Sequence, residues 1–291
     1  MDVGLVFPQL EIGTDPELIR GYATTAEGQG LDHVLAYDHV LGVVPRADWE
    51  GSYDYRDPFH EPLTLFSHLA PVTEDLEFVT GVLVLPQRET PLVAKQAAQV
   101  DLLSDGRFRL GAGVGWNEPE FEAMGADFST RGRRIEEQVD LLRELWTERA
   151  VTFDGEFHDL DGAGINPLPV QQPIPLWLGG AADPVLDRIA RKGDGWLPPS
   201  GSPSDHEERF ERLWEFCEKR DRDPDDVGIH ARVKVDPEGE PGQWIDAVSA
   251  WEEFGADYLA VDAMGRGLDP AGHLAFAADL AETLSTAGLI D

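Results

Sequence analysis

Eight short apolar runs, each followed by an amphipathic stretch, govern what this chain can become. The runs are residues 2–7 (DVGLVF), 33–37 (HVLAY), 77–86 (EFVTGVLVLP), 108–115 (FRLGAGVG), 174–180 (IPLWLGG), 195–198 (GWLP), 228–235 (GIHARVKV) and 257–263 (DYLAVDA). They are apolar on both faces, which suits parallel strands covered by helices on each side. The intervening stretches carry apolar residues at helical spacing; in DPELIRGYATTAEGQG, Pro16 stands at the first helical turn, where its missing N–H costs nothing. Eight strand–helix units predict an α/β fold, a single (β/α)8 TIM-barrel domain over residues 1–291, with an open doubly wound sheet as the alternative. One segment breaks the rhythm. Residues 149–173 are polar and glycine-rich, and VTFDGEFHDLDG within them predicts a short hairpin and loop inserted after the helix RRIEEQVDLLRELW.

Charge narrows the partners. Asp and Glu total 56 against 23 Lys and Arg, a net charge of −33, and only four of the basic residues are lysines. Such a field repels nucleic acid and anionic membrane surfaces, so a small-molecule substrate is the expected partner. The apolar content of 42% and the 13 phenylalanines argue a real core and not an acidic disordered chain. A carboxylate-rich, lysine-poor surface suits a cytoplasm at molar salt, where the Debye length is about 3 Å, and a halophilic host is expected. The single cysteine, Cys217, excludes an intramolecular disulfide and fits a reducing cytoplasm. No apolar run is long enough to cross a membrane, and the opening MDVGLVFPQL lacks the basic start of a signal peptide.

In a (β/α)8 barrel, chemistry gathers at the C-terminal ends of the strands. The stretch RFRLGAGVGWNEPEF (107–121) reaches such an end with Gly111, Gly113 and Gly115 at alternate positions, followed by Trp116, Asn117 and Glu118. The spacing G-x-G-x-G after the fourth strand is not the dinucleotide fingerprint, and no Gly-Lys-Ser/Thr follows to make a phosphate loop. The glycines either permit a tight turn or line the mouth of a site. His39 is the histidine at a strand end, suited to carrying a proton near neutral pH or, more plainly, to bonding a turn. Asp38 beside it can cap a turn or accept a bond from a cofactor ring nitrogen. Glu118 can complement a helix start or act in the site. GGAADP (179–184) leads into a helix whose free N–H groups suit a phosphate, or simply forms a glycine turn. No histidine or cysteine spacing supports a metal, and no nucleophile elbow is present. A metal-free mouth with glycines, aromatics, a histidine and a carboxylate suits a large planar phosphorylated cofactor.

Four stretches, LAYDHV, TGVLVLPQRETPLVAKQAAQVDLLSDGRFRLGAGVGWNEPEF, LLRELWTERAVTFDGEFHDL and PIPLWLGGAADPVLDRIARKGDGWLP, resemble the bacterial-luciferase-like superfamily in its coenzyme F420-dependent branch. The resemblance spans roughly residues 35–198. It implies that Asp38 and His39 meet a deazaflavin ring, with His39 as the proton donor or acceptor. It implies a bulge at Thr80, Gly81 and Val82, often with a non-prolyl cis peptide backing the ring, and Glu118 as a second acid/base. Gly179, Gly180 and Ala181 match the phosphate turn, and residues 149–173 match an insertion covering the mouth. Gly115, Trp116 and Asn117 would line the cofactor and substrate pocket. The implied reaction is hydride transfer between F420 and a small organic substrate; FMN, serving a monooxygenase fed by a separate reductase, is the alternative cofactor. The family tendency implies a homodimer.

Overall fold

A computed structural model describes residues 1–47, 49 and 51–290. The order of elements is β1 (Asp2–Val6), α1 (Pro16–Gly28), β2 (His33–Ala36), α2 (Pro62–Leu69), β3 (Glu77–Thr80), β4 (Leu83–Val84), α3 (Thr90–Leu103), β5 (Phe108–Gly113), α4 (Glu118–Ala123), α5 (Arg131–Thr147), β6 (Val151–Asp154), β7 (Asp159–Ala163), β8 (Leu176–Gly179), α6 (Asp183–Lys192), β9 (Gly195–Leu197), α7 (Glu207–Glu218), β10 (Gly228–Lys234), α8 (Pro241–Phe254), β11 (Tyr258–Asp262) and α9 (Pro270–Ala287). Neighbouring strands run β3-β2-β1-β11-β10-β9-β8-β5, all in parallel, and β3 also pairs with β5. The sheet therefore closes on itself. β4 continues β3 and pairs with β5 through Leu83–Ala112 and Val84–Gly113, so β3 and β4 act as one broken strand of an eight-stranded barrel. Closure excludes the open doubly wound alternative.

Strand alternation divides the apolar residues between two cores. Val3, Leu5, Val34, Phe78, Leu110, Leu176, Ala231 and Leu259 point outward and pack under the helices. Val6, Leu35, Val79, Trp177, Leu197 and Ala260, at the intervening positions, fill the barrel itself. Both faces are buried, which is why the strands read as continuous apolar runs. Space for Trp177 comes from two glycines: a Cβ at Gly195 or Gly228 would stand 2.3 or 2.5 Å from its indole. Each fully buried large side chain contributes roughly 1.5–3 kcal/mol.

The segment 149–173 carries the expected hairpin, β6 paired antiparallel with β7. It is pinned by His158, whose Nδ1 lies 2.6 Å from Glu137 Oε1 on α5 and whose Nε2 lies 2.6 Å from Thr90 Oγ1 on α3. The same Glu137 carboxylate accepts the amides of Glu156 and Phe157. The short helix α4 was not anticipated from periodicity. Pro119 sits at its first turn and starts it, and this helix decides which carboxylate reaches the site.

Candidate active site

Alternation places a defined set of side chains at the C-terminal mouth. Just beyond β2, Tyr37 turns inward and its hydroxyl donates to Asp262 Oδ2, 3.0 Å away at the end of β11. The next residue, Asp38, turns the other way and is buried. Its Oδ1 accepts from Arg88 Nη2 at 2.7 Å and its Oδ2 from the Val84 amide at 2.8 Å. Burial raises this carboxyl above its ordinary range, and the Arg88 guanidinium and the Val84 amide oppose the rise. The carboxylate that was expected at a ring nitrogen is thus bonded within the protein. Both its oxygens are spent inside the protein, where they fasten β2 to the segment that follows the strand break.

His39 is the member of the pair that faces the mouth, and the carboxylate bonded to it is Glu120. Glu118 opens α4 and is exposed, whereas Glu120, one half-turn further on, is buried. Glu120 Oε2 lies 3.1 Å from His39 Nδ1 and 3.3 Å from Asn117 Nδ2; Oε1 accepts the amides of Val40 and Leu41 at 2.7 and 3.1 Å. Burial alone would raise the Glu120 carboxyl, but the bonds from His39 and from the two amides hold it below its ordinary value. An ionised carboxylate only accepts, so Nδ1 carries the imidazole proton and Nε2 is left for chemistry. By the same reasoning Asn117 must offer Nδ2 to Glu120. Its buried Oδ1 has no partner among the described residues.

Aromatic edges enclose the imidazole. The rings of Phe59, Tyr53 and Trp116 approach it edge-on with centroids 4.8, 5.5 and 5.8 Å away. Trp116 is 48% exposed and stacks parallel to Trp49. His39, Val40, Leu41, Gly42, Tyr53, Phe59 and Asn117, with Asp54 and Asp57, line a cavity of about 120 Å³.

The strand break lies between β3 and β4. The Gly81–Val82 bond is cis, the geometry that the resemblance implied there. Val82 nests between two strands: a Cβ at Gly113 would fall 2.4 Å from Val82 Cγ2, and one at Gly179 would fall 2.6 Å from Val82 Cγ1. These glycines accommodate Val82, which lies in the break between β3 and β4. Gly115 is confined by its φ of +74° and by Val84 and Phe121, each within 3 Å of where a Cβ would stand. Thr80, also expected at the cofactor, is buried and donates its hydroxyl to Gly111 O at 2.7 Å, tying β3 to β5. Arg232 of β10 reaches the break from the opposite side of the barrel, donating to Gly81 O at 3.0 Å and to Pro198 O at 3.1 Å.

Gly180 and Ala181 lead to α6. The Gly180 carbonyl is taken by Trp196 Nε1 at 2.7 Å, and φ at Gly180 is +123°. No side chain caps the N-terminus of α6, as is also true of α3, α5 and α8. The Asp183 carboxylate in its first turn is drawn to Arg212, 2.9 Å away. Uncapped N–H groups there suit a phosphate.

Glu120, Arg88 and Arg232 are the residues that sequence reasoning missed. Pro119 at the start of α4 was the available signal for Glu120, because it puts Glu118 at the solvent-facing end and turns Glu120 inward.

Residues 4–238 match the model of the luciferase-like monooxygenase family. An uncharacterised protein of Mycobacterium tuberculosis is 40% identical over 196 residues, 66% of this chain and 66% of that one. An F420-dependent glucose-6-phosphate dehydrogenase of Gordonia bronchialis is 30% identical over 247 residues, covering 81% of this chain and 69% of that one. The chain thus spans about two thirds of the length of these relatives. Among solved structures, the monooxygenase RslO1 of Streptomyces bottropensis superposes with a TM-score of 0.78 at 20% identity, over 99% of this chain and 100% of that one. An F420-dependent secondary alcohol dehydrogenase, in complex with an F420-acetone adduct, gives 0.66 at 20% identity over 98% and 83%. These two show the fold. With a family match across most of its length and a closed parallel barrel of the same kind, this chain belongs to the luciferase-like monooxygenase family.

Proposed function

We propose that this protein is a coenzyme F420-dependent oxidoreductase that moves a hydride between the deazaflavin and a small uncharged organic substrate. The observation that carries the reading is His39: an imidazole locked through Nδ1 by a buried carboxylate, with Nε2 left to a cavity walled by aromatic rings. That is the arrangement of a general acid or base. The residues present fit a planar phosphorylated cofactor on two counts, the uncapped N-terminus of α6 and the broken strand at Gly81–Val82. When bound, the deazaflavin would accept or donate the hydride. Glu120 holds His39 in one tautomer, and His39 Nε2 takes the substrate's proton in oxidation and returns it in reduction. Phe59, Tyr53 and Trp116 keep water from the reacting face. Among the described residues the cavity lining offers carboxylates, aromatics and the His39 imidazole and no lysine or arginine, which supports an alcohol, aldehyde or enone over a phosphorylated sugar.

The reading agrees with the F420-dependent dehydrogenase among the relatives. FMN is the second reading, favoured by the family's monooxygenase members. Titration of the purified protein in molar potassium chloride, with F420 and separately with FMN, followed by cofactor fluorescence, decides between them. Tight F420 binding with alcohol-dependent bleaching of its absorbance is expected. Preference for FMN with oxygen consumption moves the protein to the monooxygenase class, and binding of neither sinks both readings.

A further inference from the structure

Two arginines project into the barrel from its strands, and they are treated differently. Arg109 on β5 lies against the rings of Trp177 and Tyr258 and forms an ion pair with Glu77. Arg232 on β10 sits nearer the mouth and has no such partner. It shares a strand face with His230 below it, crosses the barrel, and spends Nη1 and Nη2 on the carbonyls of Gly81 and Pro198. Its Nε is buried and unpaired, and no carboxylate contacts it among the described residues. The Tyr37 ring lies 5.4 Å from its Cζ, and the Tyr37 hydroxyl occupies Asp262, the acidic group at that end of β11. Arg88, the other half-buried guanidinium near the mouth, is held by Asp38 and Glu61. Lys234 follows on the same face of β10 but is exposed, where solvent screens it.

A half-buried guanidinium with no carboxylate within ion-pair distance among the described residues, in a chain of net charge −33, calls for a function. Carbonyl dipoles fix the guanidinium in place without cancelling its charge, so the field is directed at whatever lies on the broken strand. Hydride transfer supplies the missing anion. A hydride is a proton with two electrons: when a C–H bond of the substrate breaks and a C–H bond forms on a deazaflavin ring, or an N–H bond on a flavin, the ring gains one negative charge until a proton follows. In this protein that charge meets a strongly repulsive background, and a fixed positive group near it favours the reduced state.

We propose that Arg232, held against the Gly81–Val82 peptide, is the positive group that favours the reduced, negatively charged form of the bound ring over the oxidised form. The inference rests on the functional reading given above and applies whether the ring is F420 or FMN. It assigns Arg232 an electrostatic role that its hydrogen bonds alone do not require.

The test measures dissociation constants of oxidised and reduced F420, anaerobically, for wild type, Arg232→Gln and Arg232→Lys. Wild type should bind the reduced form at least about tenfold more tightly than the oxidised, since a unit charge even about 12 Å away is worth about that factor at an effective dielectric near 20. Arg232→Gln, which keeps a donor for Gly81 O but removes the charge, should abolish most of that ratio. Arg232→Lys should keep the ratio within about threefold of wild type even if the fold is weakened. For a two-electron couple, each tenfold in the ratio is about 30 mV in midpoint potential, which spectroelectrochemistry checks independently. Equal binding of both redox states by wild type overturns the proposal. So does an Arg232→Gln protein that loses affinity for both states equally, which would make Arg232 a support for Gly81 alone. Should the glutamine variant not fold, the wild-type ratio and the lysine variant still decide. A wild type that binds neither redox state of either cofactor removes the functional reading itself, a result visible before any variant is made.

Discussion

Glu120 Oε2 lies 3.1 Å from His39 Nδ1, and the same carboxylate takes the two amides that follow His39 in the chain. One buried side chain thus fixes the tautomer of the imidazole, the direction of its ring and the path of the loop that carries it. Removing His39 should leave that loop intact, because Val40 and Leu41 remain bonded. His39→Ala is expected to cost about 10²–10⁴ in turnover with little change in cofactor affinity. Glu120→Gln can no longer accept all its donors; we expect a loss of at least about tenfold in turnover and of roughly 1–3 kcal/mol in stability. Glu118→Gln should be within about twofold of wild type. Steady-state kinetics and thermal melts on the three variants check this, and a larger loss at Glu118 than at Glu120 would reverse the assignment.

Val82 is wedged between Gly113 and Gly179, so alanine at either glycine drives a methyl group into it. Gly113→Ala should cost about 1–3 kcal/mol, the usual range for overpacking a filled site. Val82→Ala alone should also destabilise, by deleting partly buried methyl groups. Combining the two should recover part of the loss, because the added methyl then occupies space the valine gave up. A double-mutant cycle by denaturant unfolding measures the coupling. Strictly additive losses would mean that the glycine serves the backbone and not Val82.

The barrel was legible because its strands are covered on both faces. Continuous apolar runs such as DVGLVF and DYLAVDA can hardly be anything but buried parallel strands, and the eight of them left little choice of closure. The position of His39 at a strand end was legible for the same reason. Its partners were not. Glu120, Arg88 and Arg232 lie 81, 49 and 193 residues from His39 in sequence, and only strand register and the short helix α4 bring such residues together at the mouth. Asp38 and His39 are adjacent, and the sequence pairs them naturally at one ligand; the pleat sends them to opposite sides. The glycines of GAGVG read in the sequence as room for a turn or a ligand; in the structure the Thr80 carbonyl, Val82, Val84 and Phe121 stand where their Cβ atoms would be.

At the other end of the barrel, His33 and His230 pack edge to face with centroids 4.6 Å apart and have no hydrogen-bond partner among the described residues. Burial, with the nearby Arg109 charge, keeps both imidazoles well below their ordinary value, so both are neutral in the folded protein. Unfolded, each titrates near pH 6.5. Below that pH the unfolded chain binds two protons that the native state does not, so stability falls as the pH drops through about 6.5. The slope approaches about 2.7 kcal/mol per pH unit for the two groups. Urea midpoints measured from pH 7.5 to 5 should show this decline, and His230→Phe, which keeps a ring but cannot titrate, should roughly halve it. An unchanged slope in that variant would mean that other groups carry the acid sensitivity. Loss from Glu120, whose carboxyl is held low, belongs to a separate window below about pH 4.5.

The final expectation concerns salt. The protein's 56 carboxylates outnumber its basic groups by 33, and many of its arginines are already committed to pairs, as with Arg188 and Arg191 on Glu136 and Arg220 on Asp187. The surplus carboxylates repel one another in the compact state more than in the expanded chain. At 0.1 M ionic strength the Debye length is about 10 Å, so the repulsion reaches across neighbouring helices; at 1 M it is about 3 Å and the repulsion is nearly gone. The melting temperature should therefore rise steeply between 0.1 and 2 M potassium chloride, with the protein largely unfolded at the low end. Potassium chloride, a poor general stabiliser, isolates screening from the excluded-solute effect that sulfate or sucrose would add. If 2 M sucrose at low salt restored the fold as well as the salt did, preferential exclusion would be the cause. If the melting temperature were the same at 0.1 and 2 M, the charge must be neutralised within the folded chain, and the acidic composition would carry no requirement for a saline host.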